Sequence, residues 1–424
     1  MIPLLLALAF ALACEQPPPP EPTPAPAPLP EASPTLALPQ DVGTVHVRAV
    51  GDFLITLRLK KTARGKANGD NHGGFDWIWA PVAPMLRDAD LTFANLETPV
   101  APDHHRGIVW EVFNAPADLI PSMAHAGVDV VSFANNHTFD QGPAGILETL
   151  QRLDDAGIAS AGSGPTCADA AAPARLEVNG VRVAVLAATD LMNLDERDGA
   201  DAPCTFVAGP VCTTRCGPDR DAIHYAIDEA RLKAAIEAAR DDADAVVMSF
   251  HWGDEYRTQP LPVYTDLAPK LIEWGVDVVL GHHPHVLQPI TQHTADDGRQ
   301  GLIVYSMGNF VSDMGSKFDP KTSAVRRGNT RDGVIIDFNL IKTRLPGGRT
   351  VTRVADVSAI PLWTTNNRLT RRAGEPDEVQ VISHEQSDDP GLMAVRRAQV
   401  ARVIGAAWLS PAGAEEPPGS EAPR

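Results

Sequence analysis

Val278-Val279-Leu280-Gly281-His282-His283-Pro284-His285-Val286-Leu287-Gln288 is an apolar run that ends in three imidazoles within four positions. Its lead-in, Val276 to Leu280, is short, β-branched and apolar, the pattern of a core strand. A buried strand presents its next residues at the carboxyl edge of its sheet, where a loop is free to aim side chains at a ligand. His283 and His285 stand two apart with Pro284 restricting the backbone between them, so both rings can converge on one centre. Neutral imidazole is a good donor to a transition metal near neutral pH. Taken alone, the segment reads equally well as a solvated polar turn, and the rest of the chain has to decide.

From Thr44 onward, short apolar β-type runs alternate with helical segments, which is the signature of an α/β domain. Val45 to Val50 ends in Gly51-Asp52, and Ala89 to Ala94 leads into Asn95-Leu96-Glu97. Val128 to Ala134 ends in Asn135-Asn136-His137 with Asp140 close behind, and Ala245 to Phe250 ends in His251-Trp252-Gly253-Asp254-Glu255. Amphipathic helices are expected between them, notably Asp228 to Asp241 and Tyr264 to Trp274. A single Asp or His after a strand is ordinarily a cap or a satisfied polar group. Five runs that deposit Asp, Glu, Asn or His at the same topological position point to a polynuclear metal site, because α/β sheets bind ligands at the carboxyl ends of their strands.

Gly51-Asp52, Asn95-Leu96-Glu97, Ala134-Asn135-Asn136-His137 with Asp140 and Gly142, His251-Trp252-Gly253 with Glu255, Gly281 through Gln288, and Tyr305-Ser306-Met307-Gly308-Asn309-Phe310 resemble, in that order, the CapA family of capsule-synthesis or poly-γ-glutamate biosynthesis proteins. The resemblance covers roughly Thr44 to Lys342. It implies a divergent calcineurin-like metallophosphoesterase relative, with a four-layer α/β/β/α sandwich around a dinuclear centre. On that resemblance the metal ligands are Asp52, Glu97 (bridging), Asn136, His251, His283 and His285, and His137 assists the leaving group or phosphoryl oxygens. Mixed carboxylate, amide and imidazole ligation suits one or two divalent ions of Mn, Fe or Zn. One position departs from the phosphoesterase pattern: Leu54 stands where a histidine two residues after the first aspartate is usual. One metal site is then short of a ligand, while Glu97, Asn136, His251 and His283 complete the other. Asp140 either orients His137, as a second catalytic residue, or caps the helix beginning near Gln141. Asn309 and Glu255 are candidate substrate contacts, with plain polar turns as the alternative. His282 is expected outside the ligand set, and His72, His104 and His105 in solvated loops.

A chain of 424 residues, 44% hydrophobic, can bury a large core. Its net charge of -18 argues against a nucleic-acid partner, since phosphate binding needs clustered Lys and Arg. Ile2 to Ala13 is an apolar run of signal-peptide length, ending in Ala11-Leu12-Ala13-Cys14, which resembles a lipobox with Cys14 as the lipidated residue. The organisation expected is a leader at residues 1–14, a Pro-rich spacer at 15–43, the metallophosphoesterase-like domain at 44–345, a C-terminal extension packed on it at 346–409, and a disordered tail at 410–424. Alternation from Thr350 to Ile360 suggests closing strands, and Gly391 to Trp408 a helix. Cys167, Cys204, Cys212 and Cys216 form up to two disulfides of unassigned pairing, stapling a surface loop at Met192 to Ile223. Two functions fit: an envelope-anchored, metal-dependent hydrolase of phosphoesterase type working on a capsule or poly-γ-glutamate polymer, or a non-catalytic accessory subunit that binds or guides such an anionic polymer. Either would work at the bacterial cell envelope, with the membrane and other capsule-synthesis proteins as partners.

Overall fold

The computed structural model describes residues 38–69, 71–106, 112–211 and 222–411. The leader with Cys14, most of the spacer, Cys212, Cys216 and nearly all of the tail lie outside these residues. Two sheets carry the fold. In the first, the strands Leu91–Leu96, Val130–Ser132 and Ala159–Ala161 continue in parallel from Gln40–Phe53. On its other side, Asp332–Arg344, Thr350–Asn366 and Val379–Ser383 are added antiparallel. In the second, Val181–Thr189, Ala245–His251, Val278–His282 and Gln300–Val304 run parallel, flanked by the antiparallel edges Ala174–Val178 and Ile290–Thr294. All five apolar runs read from the sequence are strands, and helices fill Glu229–Arg240 and Pro262–Trp274.

Strand alternation sorts the side chains into layers. Val45, Val47, Ala49 and Phe93 of the first sheet pack against Val183, Val185, Val247, Val278 and Val304 of the second. The opposite face of the second sheet, with Leu186, Met248 and Ile303, is covered by Leu232 and Ile236 of one helix and Leu267 and Leu271 of the next. The outer face of the first meets the helices Leu57–Lys66, Phe75–Trp79, Leu119–His125 and Gly142–Asp155 through Leu59, Trp79, Met123 and Ile146. This is an α/β/β/α sandwich. Directly beyond Asp52, Phe53 stacks on Phe310 at 4.6 Å and meets Trp79 edge-on at 5.5 Å. Phe53→Ala would leave a cavity under the site, at a cost of about 3–5 kcal/mol.

The boundaries differ from the sequence reading in three places. The first strand starts at Gln40, inside the expected spacer, because its polar end pairs in register with Arg344 and Asp41 accepts from Thr343. Residues 350–383 supply two full strands of the first sheet, and the helix Pro390–Ile404 is tied to it by the buried pair Arg396–Asp332, with 2.9 Å from Nε to the carboxylate. Within the expected surface loop, Phe206, Val207 and Ala208 are buried, and a disulfide joins Cys167 to Cys204. Short polar runs flanking those three apolar residues masked a segment that belongs to the core.

Candidate metal centre

Register sets the site. Asn95, Asp52 and Asn309 share one rung at the carboxyl end of the first sheet. Thr189, His251 and His282 share the corresponding rung of the second. Both rungs demand close backbone approach: a Cβ at Gly51 would lie 1.9 Å from the Gly308 carbonyl oxygen, and one at Gly281 would lie 2.0 Å from that of Tyr305. Only glycine fits at either position. The His-rich loop then turns through left-handed backbone at His283 (φ 92°) and His285 (φ 54°), on either side of Pro284. Such conformations cost on the order of 1–3 kcal/mol each in a non-glycine residue and persist where the surroundings over-determine them. Here they swing both rings inward, 5.9 Å apart between centroids.

Two groups of metal-capable donors result, Glu97 with His251 and His283, and Asp52 with Glu97 and His285, each with donor atoms within 4.8 Å of one another. Glu97 belongs to both, and all of these side chains are buried. Asn136 joins the first group, its Oδ1 2.8 Å from His251 Nε2, while Glu97 Oε1 lies 3.4 Å from the same nitrogen. Ligands held about 2.1 Å from one ion sit roughly 3–3.4 Å from each other, so these spacings suit a shared cation. In the second group His285 lies 3.3 Å from Asp52 Oδ2 through Nδ1 and 3.7 Å from Glu97 Oε1 through Nε2.

Several atoms of the donor residues also lack a hydrogen-bond partner. Both oxygens of Glu97, Asp52 Oδ2, His251 Nδ1 and both ring nitrogens of His283 are buried without a hydrogen bond among the described residues. Each orphaned polar atom costs about 1–3 kcal/mol, so such a cluster is hard to sustain unless something else binds it. Carboxylate, amide and imidazole donors together fit a divalent transition ion.

Electrostatics divide the donors. Burial, then the neighbouring charge of Asp52, raises the Glu97 carboxyl well above its ordinary value. Burial lowers His251 and His283 well below theirs, with a second imidazole adding to each, so both rings are neutral and ready to donate. Burial opposes ionisation of Asp52, yet the His282 hydrogen bond to Oδ1 and the His285 ring 3.3 Å from Oδ2 outweigh it and hold that carboxyl well below the usual range. For His285 burial is likewise overcome, by Glu97 and Asp52, and the ring is pushed up to about 10. Without a cation, then, His285 balances the Asp52 carboxylate; a cation would displace its proton.

Around this core sit the orienting contacts. His282 is in neither group; its Nδ1 lies 2.9 Å from Asp52 Oδ1, which also accepts from Asn95 Nδ2 at 2.8 Å. Asp140 Oδ2 lies 2.8 Å from His137 Nδ1 and accepts from the Phe113 amide at 2.6 Å, whereas the Gly142–Asp155 helix has no side-chain cap. Of the two roles open to Asp140, orientation of His137 is the one the contacts display. Asn309 sits behind His285: its Oδ1 is 3.0 Å from Nδ1 and its Nδ2 donates to the Thr330 carbonyl at 3.0 Å. Both ends of that amide are engaged by protein, so it positions His285 instead of facing a substrate. Glu255 stands at the mouth, 31% exposed, 3.9 Å from His285 Nε2. His72 and His104 are paired away with Asp76 and Glu148, and His105 with Asn114.

Sequence reasoning missed Asn193. Its amide N–H donates to the Asn136 carbonyl at 2.9 Å, and its Oδ1 accepts from Asn136 Nδ2 at 3.3 Å, which turns Asn136 Oδ1 toward His251. Nothing in the composition of its segment marks it. Asn135, beside Asn136 in the same strand-end motif, braces the loop by donating to the Leu96 carbonyl at 2.8 Å and accepting from the His137 amide at 3.1 Å.

The family model described as bacterial capsule synthesis protein PGA_cap matches residues 46–314. The chain is 30% identical over 295 residues to the capsule biosynthesis protein CapA of Bacillus anthracis, covering 69% of this chain and 62% of that protein. It is 27% identical over 296 residues to the PGA biosynthesis protein CapA of Bacillus subtilis, covering 69% and 67%. A probable polyglutamine synthesis accessory protein of Mycobacterium tuberculosis is 26% identical over 246 residues, covering 56% and 60%. The match thus spans less than two thirds of the length of the Bacillus anthracis relative.

Proposed function

The chain belongs to the bacterial capsule synthesis family PGA_cap, and on that footing we propose that it is a metal-dependent hydrolase acting on a phosphoester or related bond during capsule or poly-γ-glutamate synthesis. The observation that carries this reading is the pair of donor groups meeting at Glu97, with their orphaned buried atoms. Glu97, Asn136, His251 and His283 would hold one divalent ion, and Asp52, Glu97 and His285 a second. A cation there supplies Lewis-acid polarisation of a phosphoryl or carbonyl oxygen and lowers the pKa of water. The protein's own residues do the rest. Asp140 holds the His137 ring through Nδ1, which leaves Nε2 as the nitrogen that protonates a leaving oxygen. Asn309 and His282 fix His285 and Asp52, so the donors do not reorganise when substrate arrives. Attachment to the envelope through a lipidated Cys14 is part of the same proposal, and Cys14→Ala should move the protein from the membrane fraction to the soluble one.

The test is metal analysis of the purified protein together with hydrolysis of generic phosphodiesters in added Mn, for wild type and His251→Ala. Turnover that requires metal and falls with His251→Ala supports the hydrolase. A second reading, a non-catalytic subunit that guides an anionic polymer, is favoured by Leu54. That side chain is 1% exposed and stands where the phosphoesterase pattern has a ligand, which leaves the Asp52 group with three donors. Absence of turnover in a metal-loaded protein, unchanged by His251→Ala, would leave that reading standing and sink the first.

A further inference from the structure

The chain is acidic overall, yet its cations are not scattered. Residues 57–66, 313–331 and 367–378 hold 13 Lys and Arg against five Asp and Glu, a local charge of +8 within a chain of -18. These three segments are joined in space. Arg58 pairs with Asp313 at 3.4 Å and also with Asp377, which pairs with Arg371 at 3.4 Å. Thr62 donates to the Asp377 carbonyl at 3.0 Å, and Arg368 reaches Ser316 at 3.4 Å. The acidic side chains at the seams are thereby consumed. Lys61, Arg64, Lys317, Arg326, Arg327 and Arg372 are exposed, and their side chains form no ion pair among the described residues.

The surface is rooted in the metal centre. Both ends of the 313–331 segment abut Asn309, through Met314 Sδ at 3.8 Å and the Thr330 carbonyl at 3.0 Å. The helix Leu57–Lys66 starts a few residues beyond Asp52. A field of one sign beside a buried site attracts the opposite charge and feeds it inward. A membrane would contact such a face broadly; a basic face that borders a buried centre suits a linear chain, which can lie along the cations and extend toward the donors. We propose that this face is the docking surface for a linear polycarboxylate that runs toward the Glu97 centre. The proposal deepens the function given above and rests on it for the identity of the chain bound.

The test uses the full protein and fluorescently labelled poly-L-glutamate as probe, with affinity read by anisotropy. Binding should weaken steeply as salt rises from about 0.05 to 0.3 M, where the screening length contracts below the spacing of the charges. Arg326→Glu/Arg327→Glu/Arg368→Glu should weaken it by about tenfold or more, since each exposed pair is worth a factor of roughly two to five. Lys61→Gln/Arg64→Gln, on a different element, should weaken it severalfold, which keeps the test open if the first variant fails to fold. Lys233→Glu/Arg344→Glu/Arg349→Glu, three exposed cations elsewhere, should leave it within about twofold. No binding by wild type, affinity in both patch variants equal to that of wild type, or charge-sensitive binding to phosphatidylglycerol vesicles but not to polyglutamate would overturn the proposal. His251→Ala separates the two readings: it should lose metal and keep polymer affinity, so failure of the docking surface with metal binding intact would leave the metal centre standing.

Discussion

Replacing Glu97 by glutamine should raise stability without metal and abolish the stabilisation that metal confers. Both Glu97 oxygens are buried with no hydrogen-bond partner, and burial with the charge of Asp52 holds the carboxyl well above its ordinary value. In the metal-free fold an ionised carboxyl there is therefore a burden of about 1–3 kcal/mol, and an amide of the same shape, which cannot ionise, relieves it. For a fold the size of the described residues, the usual unfolding entropy per residue makes each kcal/mol worth roughly 1 °C in Tm. Calorimetry in chelator should then find Glu97→Gln melting about 1–4 °C above wild type. The sign with pH comes from linkage. A carboxyl raised in the fold binds more protons there than in the unfolded chain, so wild type loses stability as pH rises through that window and the advantage of the amide grows toward alkaline pH. With Mn at about a thousand times its dissociation constant, wild type gains on the order of 4 kcal/mol, roughly 5 °C. The variant, lacking the donor common to both groups, should show little of that shift. A variant that melts several degrees lower in chelator, or that keeps the full Mn shift, would refute the assignment of Glu97 as the bridging ligand.

Three further outcomes are expected. Asp140→Asn should lower kcat by about 10–100-fold with metal content unchanged, because it frees the His137 ring without touching a donor; loss of metal in this variant would contradict that placement. Cys167→Ser/Cys204→Ser, which opens a loop of 37 residues, should cost about 3–4 kcal/mol in denaturant unfolding, and a midpoint equal to wild type would argue against the bond. His384 is pushed down to about 4 by burial and by the charges of Arg397 and Arg396. Its contribution is fully present above about pH 6.5 and is lost as pH falls toward 4, about 3 kcal/mol in all, so His384→Gln should flatten the acid limb of the stability profile between those values.

Much of this centre was legible in the chain because its chemistry is written at strand ends. A period-two apolar run followed by Asp, Asn or His is a local pattern, and each of Asp52, Glu97, Asn136, His251, His283 and His285 could be picked out from its own neighbours. The layered α/β class came from the same alternation. What local pattern could not hold was pairing. That Glu97 faces both donor groups depends on the register of Leu91–Leu96 beside Gln40–Phe53 and on the second sheet meeting the first across the core. Whether Asp140 capped a helix or gripped His137, and whether Asn309 faced outward or backed His285, turned on contacts between segments up to 24 positions apart. Asn193 and the basic face show the limit most plainly. Asn193 meets Asn136 from 57 positions away, and Arg58 meets Asp377 from 319. Residue type and periodicity decide which side chains stand at the end of a strand; only the closing of the sheets decides which of them share a cation, because that distance is fixed by tertiary packing and not by the chain between them.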